Sequence, residues 1–105
     1  YASARRDKGD QPGKFDELFT RFRGLVPMDV RPADVDAIAA LKPDCVFLAT
    51  PHEASVELAP ALADRGIVVL DLSAAFRLRD AALYPKHYGF EHHAQQRLSR
   101  AVYAL

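Results

Sequence analysis

Three places in this chain set polar side chains at the end of an apolar run. Thr50-Pro51-His52 follows Cys45-Val46-Phe47-Leu48-Ala49, and Ser73-Ala74 follows the run through Ile67, Val68, Val69 and Leu70. Near the start, Ser3 is followed by Arg5 and Arg6. Thr50 can offer a hydroxyl and a backbone N–H to a ribose or a phosphate, and Pro51 fixes the turn. Ser73 and Ala74 are small enough for a ligand to approach the backbone closely. Ser3, Arg5 and Arg6 supply a hydroxyl and two guanidinium forks, donors that suit a phosphate. The bland readings are a plain strand-to-helix turn for Thr50-Pro51 and a solvated basic loop for Arg5-Arg6.

The elements that would hold these groups are readable around them. Residues 44–50 and 67–72 are near-continuous apolar runs without in-and-out alternation, the pattern of strands covered on both faces. His52 to Arg65 is long enough for a crossover helix, and Gly66 stops it. Two such strands joined by a helix predict a right-handed βαβ unit with parallel strands. Ligands of open parallel sheets sit beyond the carboxyl ends of the strands, which is where Thr50 and Ser73 stand. Pro60 falls inside the helical pattern Val56, Ala59, Leu62, Ala63. Either Ser55 caps the helix and Pro60 lies just past the first turn, or the helix kinks there. Asp71 interrupts an apolar strand, and a buried carboxylate needs a partner, for which Arg77 or Arg79 is at hand. Cys45 lacks the basic or helix-terminal setting of a reactive thiolate and reads as core. His52 could act as an acid or touch a phosphate, but reads as a donor at a helix start. Ser73 is no nucleophile, since no G-x-S-x-G elbow surrounds it.

The remaining chain is less regular. Residues 1–4 read as the end of a strand, and 5–14 as a polar loop. Phe15, Leu18, Phe19 and Phe22 make one helical stripe that Gly24 can close. Residues 25–31 form a short extended segment, edge or incomplete because of Pro27. A second helix runs from Pro32 to Leu41, capped by Asp34, with Val35, Ile38 and Leu41 inward and Pro43 barring continuation. Residues 78–93 lose periodicity and wrap over a sheet edge or a site. His87, Glu91, His92 and His93 lack the spacing and the thiolates of a zinc set, so no metal is expected. Tyr84, Tyr88 and Phe90 suit packing or a subunit contact. Residues 94–100 allow one or two helical turns, and AVYAL at 101–105 opens a further strand.

The totals bound the partners. Fourteen basic and fourteen acidic residues cancel in 105, so no net field draws nucleic acid or an anionic membrane. No apolar run approaches the roughly 20 residues that span a bilayer. One cysteine suits a reducing cytoplasm.

The phrases DCVFLATPHEASVELAP (44–60), VVLDLSAAFRL (68–78) and YPKHYGFEH (84–92) resemble the N-acetyl-gamma-glutamyl-phosphate reductase family. The likeness extends to the loop at Arg5-Arg6, to RGLV at 23–26 and to AVYAL. It implies an α/β fold, a Rossmann-type NAD(P)-binding domain with a parallel sheet, spanning residues 1–105 and incomplete. The family's first strand and glycine-rich turn, G-A-S-G-Y-x-G, have no counterpart here. Neither has its P-G-C-Y cysteine motif nor its catalytic histidine, so the resemblance places no catalytic residue in this chain. It implies Ser3, Arg5, Arg6, Thr50, Pro51, Ser73 and Ala74 as contacts to NADP. In such folds the loop after the second strand meets the adenosine ribose, and Arg or Ser there accommodates a 2′-phosphate.

The activity so implied is reduction of a small acyl phosphate to a semialdehyde with NADPH, in arginine biosynthesis. A cysteine thiolate attacks, phosphate leaves, and hydride reduces the thioester. A cytoplasmic homo-oligomer is expected. Three other readings stay open. The parent could belong to a neighbouring family, aspartate-semialdehyde dehydrogenase or the aminoadipate-pathway reductase; DLSAAFRL argues against the former and barely against the latter. The chain could be a non-catalytic interaction module, or a structural fragment without function of its own.

Overall fold

A computed structural model of the chain describes residues 2–3 and 13–103. It divides into two compact units, Tyr1–Ile38 and Ala39–Leu105.

In the first unit a three-stranded ladder has the order β1-β3-β2, with β1 at Ala2–Ser3, β2 at Gly13–Lys14 and β3 at Asp29–Pro32. β1 runs parallel to β3 (Ala2 opposite Arg31), and β2 runs antiparallel to it (Lys14 opposite Asp29). So β3 is central in its ladder, not an edge, and starts two residues after Pro27, where pairing no longer meets the missing N–H. The expected loop over 5–14 ends early, because Gly13 and Lys14 have joined the sheet. Lys14 Nζ lies 2.7 Å from Asp29 Oδ1 across the ladder. This cross-strand pair fixes the register. Val30, in β3, is buried.

The aromatic stripe after β2 is not one helix. A single α-turn, α1 (Phe15–Leu18), ends at Phe19, whose φ of −121° and ψ of 81° leave the helical region, and a 3₁₀ turn follows at Thr20–Phe22. So short a segment has too few turns to repay helix nucleation. Its rings still meet, with Phe15 4.7 Å from Phe19 and 5.6 Å from Phe22, centroid to centroid. Helix α2 (Val35–Ala40) is capped as expected: Asp34 Oδ1 accepts from the Ala37 N–H at 2.9 Å. Leu41, expected inward, lies beyond the helix end and is exposed.

The second unit holds the two apolar runs. β4 (Cys45–Leu48) and β5 (Val68–Asp71) pair in parallel, with Cys45 opposite Val68 and Leu48 opposite Asp71. Helix α3 (His52–Ala63) connects them and packs on β5. Pro51 stands at its N-cap, so Ser55 is an interior residue and not the cap. Pro60 lies inside the helix, where it removes the N–H that would bond to Val56. The helix stops on a Schellman motif. Gly66, at φ +78°, donates to Ala63 O, and Ile67 donates to Leu62 O at 3.3 Å. Leu62 and Ile67, both buried, make the apolar contact of that motif.

The strands are not covered on both faces. Leu48 is buried, whereas Phe47 is 63% exposed and Val68 59%. Cys45 is exposed as well, so its assignment to the core is corrected. Strand alternation decides this: neighbouring side chains take opposite faces, and α3 covers one of them. The core of the unit is Leu48, Val56, Ala59, Leu62, Ile67, Ala75, Tyr84 and Leu98.

After β5 come a 3₁₀ turn (Ala81–Leu83), α4 (Tyr84–Tyr88) and the single turn α5 (Gln95–Leu98). Residues 101–103 form no strand, contrary to the reading of AVYAL, and 104–105 lie outside the described residues. Among the described residues the pairings form two ladders, each with a parallel pair, and the fold class is α/β as expected.

Candidate functional site

Parallel pairing brings the carboxyl ends of β4 and β5 to one rim. The chain leaves β4 at Ala49-Thr50 and enters α3 at His52, and it leaves β5 at Leu72-Ser73. Leu72 N–H bonds to Leu48 O at 2.9 Å, extending the ladder to that rim. The first N–H of α3 to find a partner in its own turn is that of Ser55, on Pro51 O at 3.0 Å. The N–H groups of His52, Glu53 and Ala54 therefore precede the helical ladder at the same end.

One carboxylate ties the rim together. Asp71, half-buried as the last residue of β5, accepts from Ser55 Oγ at 3.1 Å and from Ser73 N–H at 3.0 Å on Oδ1, and from Ser73 Oγ at 2.9 Å on Oδ2. Ser55, fully buried in α3, also lies 2.7 Å from Thr50 Oγ1. Ser73 Oγ accepts in turn from Ala75 N–H at 3.0 Å. The partners of Asp71 are thus hydroxyls and an amide. The ion pair expected with Arg77 or Arg79 does not form. Arg77 turns away and donates to Tyr103 Oη at 2.7 Å, its guanidinium 5.2 Å from the centre of that ring. The spacing D-x-S lets the aspartate bond to the backbone and side chain two residues on, an Asx-type turn that needs no distant cation.

Two imidazoles hold the backbone just past this turn. His52 Nδ1 accepts from Ala74 N–H at 3.1 Å, so His52 is an acceptor and not the donor expected of it. His92 Nε2 lies 2.8 Å from Ala75 O. A carbonyl only accepts, so Nε2 carries the proton. Residues 84–92 pack over the rim as an aromatic layer. His52 lies 5.3 Å from Tyr88 and 6.0 Å from Phe90, and His92 lies 4.6 Å from Tyr84. The expected packing role of Tyr84, Tyr88 and Phe90 is what these contacts show. No group of three or more His, Cys, Asp or Glu residues is arranged to hold a metal among the described residues.

His92 gives the unit an acid limit. The ring is 3% exposed and its Nδ1 has no partner. Burial holds its pKa below the ordinary 6.5. As pH falls through 6.5 the unfolded chain takes up a proton that the folded chain refuses, so stability falls with it. Stability should therefore decrease between pH 7.5 and pH 5. His92→Gln keeps a donor at the Nε2 position and does not titrate, so it should flatten that part of the profile. Urea midpoints over this range check it, and an equal acid loss in the variant would assign the limit to another group.

A groove of about 720 Å³ borders the rim, with Asp71, Ser73, Phe76 and Arg77 among its lining. Its size suits a small molecule. Ser73 brings a small side chain with a hydroxyl to its wall, which fits a hydroxyl-bearing ligand, while Thr50, Pro51 and Ala74 lie on the rim outside this lining.

Residues 1–104 match the family model described as semialdehyde dehydrogenase, NAD binding domain. This chain belongs to that family. Its curated relatives carry the name N-acetyl-gamma-glutamyl-phosphate reductase. That of Yersinia pseudotuberculosis serotype I is 48% identical over 89 residues, covering 85% of this chain and 27% of the relative. That of Tolumonas auensis is 42% identical over 107 residues, covering 100% and 31%. That of Escherichia coli K12 is 43% identical over 91 residues, covering 85% and 27%. The chain thus spans less than a third of the length of these relatives.

Within this NAD-binding domain, Thr50, Pro51, Ser73 and Ala74 stand on one rim, three of them joined by hydrogen bonds to His52, Ser55 or Asp71. Ser3 pairs in β1 opposite Pro32, and Arg5 and Arg6 lie outside the described residues. Sequence reasoning missed Ser55 and the acceptor role of His52. The D-x-S spacing at 71–73 was the available signal for Asp71. The sequence offers Ser55 only as a helix cap, since its bond to Asp71 depends on α3 starting at His52.

Proposed function

We propose that this domain binds NADPH in a reductase that converts N-acetyl-glutamyl 5-phosphate to the 5-semialdehyde, a step of arginine biosynthesis. The observation that carries this reading is the shared rim of β4 and β5, organised by Asp71, in a chain 42–48% identical to proteins of that name. Thr50, Pro51, Ser73 and Ala74 contact the cofactor. Bound NADPH supplies the hydride. The chain's own residues orient it: Thr50 and Ser73 present hydroxyls, Ala74 presents backbone, and the aromatic layer over His52 shields the rim from water.

Ser3, Arg5 and Arg6 meet the 2′-phosphate and set the preference for NADP. The glycine-rich pyrophosphate cradle, the nucleophilic cysteine and the acid/base histidine come from sequence outside these 105 residues. Cys45, in a strand, is not that nucleophile. A cytoplasmic homo-oligomer belongs to the same reading. No helix among the described residues is long and apolar enough to cross a membrane.

The test is turnover by the full-length protein with NADPH and N-acetyl-glutamyl phosphate, beside the aminoadipyl analogue and NADH. Replacing Arg5 and Arg6 by Ala together should weaken NADPH by about 100-fold, two charge-assisted phosphate contacts at 1–2 kcal/mol each, and leave NADH nearly unchanged. Equal loss for both cofactors would remove the arginines from the 2′-phosphate. Faster turnover of the aminoadipyl substrate would move the protein to the neighbouring pathway.

A further inference from the structure

The donors and acceptors at the rim fix one consistent arrangement of protons. Both oxygens of Asp71 already receive hydrogens, Oδ1 from Ser55 Oγ and Ser73 N–H, Oδ2 from Ser73 Oγ. A hydroxyl has one proton and two lone pairs. Ser55 has therefore spent its proton on Asp71, and its 2.7 Å bond to Thr50 can only be one that Thr50 donates. Thr50 has then spent its own proton inward. What remains on Thr50 Oγ1, a half-exposed side chain at the rim, is acceptor capacity alone. Ser73 is in the same position, with its proton on Asp71 and one lone pair taken by Ala75 N–H.

We infer that Asp71, acting through the buried Ser55, fixes the Thr50 hydroxyl as a hydrogen-bond acceptor toward the ligand, so that this strand tip reads a hydroxyl or amide N–H of the cofactor and not one of its phosphates. A phosphate oxygen has no proton to give and would meet only lone pairs. NADPH carries the matching donors in two places, the hydroxyls of the nicotinamide ribose and the carboxamide NH2. The inference rests on the proposal that NADPH binds at this rim, and it narrows the contact of Thr50 from ribose or phosphate to donor groups only. Asp71 and Ser55 are positioning residues here, since they act through Thr50.

Calorimetric titration of the full-length protein tests this with three ligands. They are NADPH, its 3-acetylpyridine analogue, in which a methyl replaces the NH2, and an analogue lacking the nicotinamide ribose hydroxyls. The wild type should bind one of the analogues about tenfold more weakly than NADPH, the effect of one hydrogen bond. Which analogue suffers identifies the donor. Thr50→Val should lose the same tenfold for NADPH and cease to discriminate that analogue, and Thr50→Ser should restore both. Ser55→Ala leaves Thr50 in place but frees its proton, so discrimination should shrink there too, which a purely structural role would not produce.

Neutron diffraction of the free protein reads the relay without any ligand, and the deuteron on Thr50 Oγ1 should point to Ser55. A deuteron pointing away from Ser55, or undiminished discrimination in Thr50→Val, overturns the inference while leaving NADPH binding in place. Failure of the wild type to bind NADPH at all overturns the reading of the site, and the inference with it.

Discussion

Asp71→Ala is expected to lower the opening free energy of the βαβ unit by about 3 kcal/mol. Three donors converge on this carboxylate, and hydrogen bonds to charged groups contribute about 1.5–3 kcal/mol each, less than additively when they share an acceptor. The losses are not equal. Ser73 is half-buried, so water can replace part of what its N–H and hydroxyl give up. Ser55 is fully buried in α3 and keeps only Thr50. Ser55 then turns its proton to Thr50, and the loss of its buried bond to a charged acceptor carries most of the cost. Asp71→Asn, which retains one acceptor oxygen, should cost about 1 kcal/mol by the same reasoning. Native-state amide exchange at Leu62, in the core of α3, measures the opening. Equal costs for Asn and Ala would mean that shape and not the acceptors matters at this position. Cofactor affinity should fall as well, by about tenfold, because the same change frees the proton of Thr50.

Much of what positions this rim is local chemistry, and local chemistry is legible. The Asp34 cap, the stop at Gly66 and the crossover from β4 to β5 follow from cap preference, left-handed glycine and the length of the run between two apolar segments. What misled was the reading of coverage. Phe47, Val68 and Leu70 look like residues of a strand buried on both faces, yet composition states only that such a face is apolar. Whether something covers it depends on other elements, and here those side chains and Cys45 are exposed. A carboxylate in an apolar strand such as Asp71 needs partners, and the sequence offers arginines six and eight residues on, yet the hydroxyl two residues on and the serine sixteen residues back supply the bonds. Long-range pairings such as Ser55 with Asp71, or His92 with Ala75, exist only once the fold has placed them.

Tyr84→Ala should be the most damaging single change in the aromatic layer, at about 4 kcal/mol, the usual range for a large ring truncated in a core. Tyr84 is wholly buried and touches Tyr88, Phe90 and His92. Its hydroxyl does a separable job. It accepts from Leu78 N–H at 2.9 Å and donates to Leu78 O at 3.0 Å, closing both backbone groups of one residue. Tyr84→Phe keeps the ring and strands both groups, which should cost about 2 kcal/mol. The difference between the two variants measures the packing, and the Phe variant measures the clamp. Burial also raises the Tyr84 pKa above 10. As pH rises through 10 the unfolded chain gives up a proton that the folded chain keeps, so this contribution to stability is lost on the alkaline side. Tyr84→Phe should remove that loss while lowering stability at neutral pH. Urea midpoints at pH 7.5 and pH 10.5 for the wild type and the Phe variant decide it. A Phe variant as stable as the wild type at pH 7.5 would show that water closes the Leu78 groups and that the hydroxyl is dispensable to the fold.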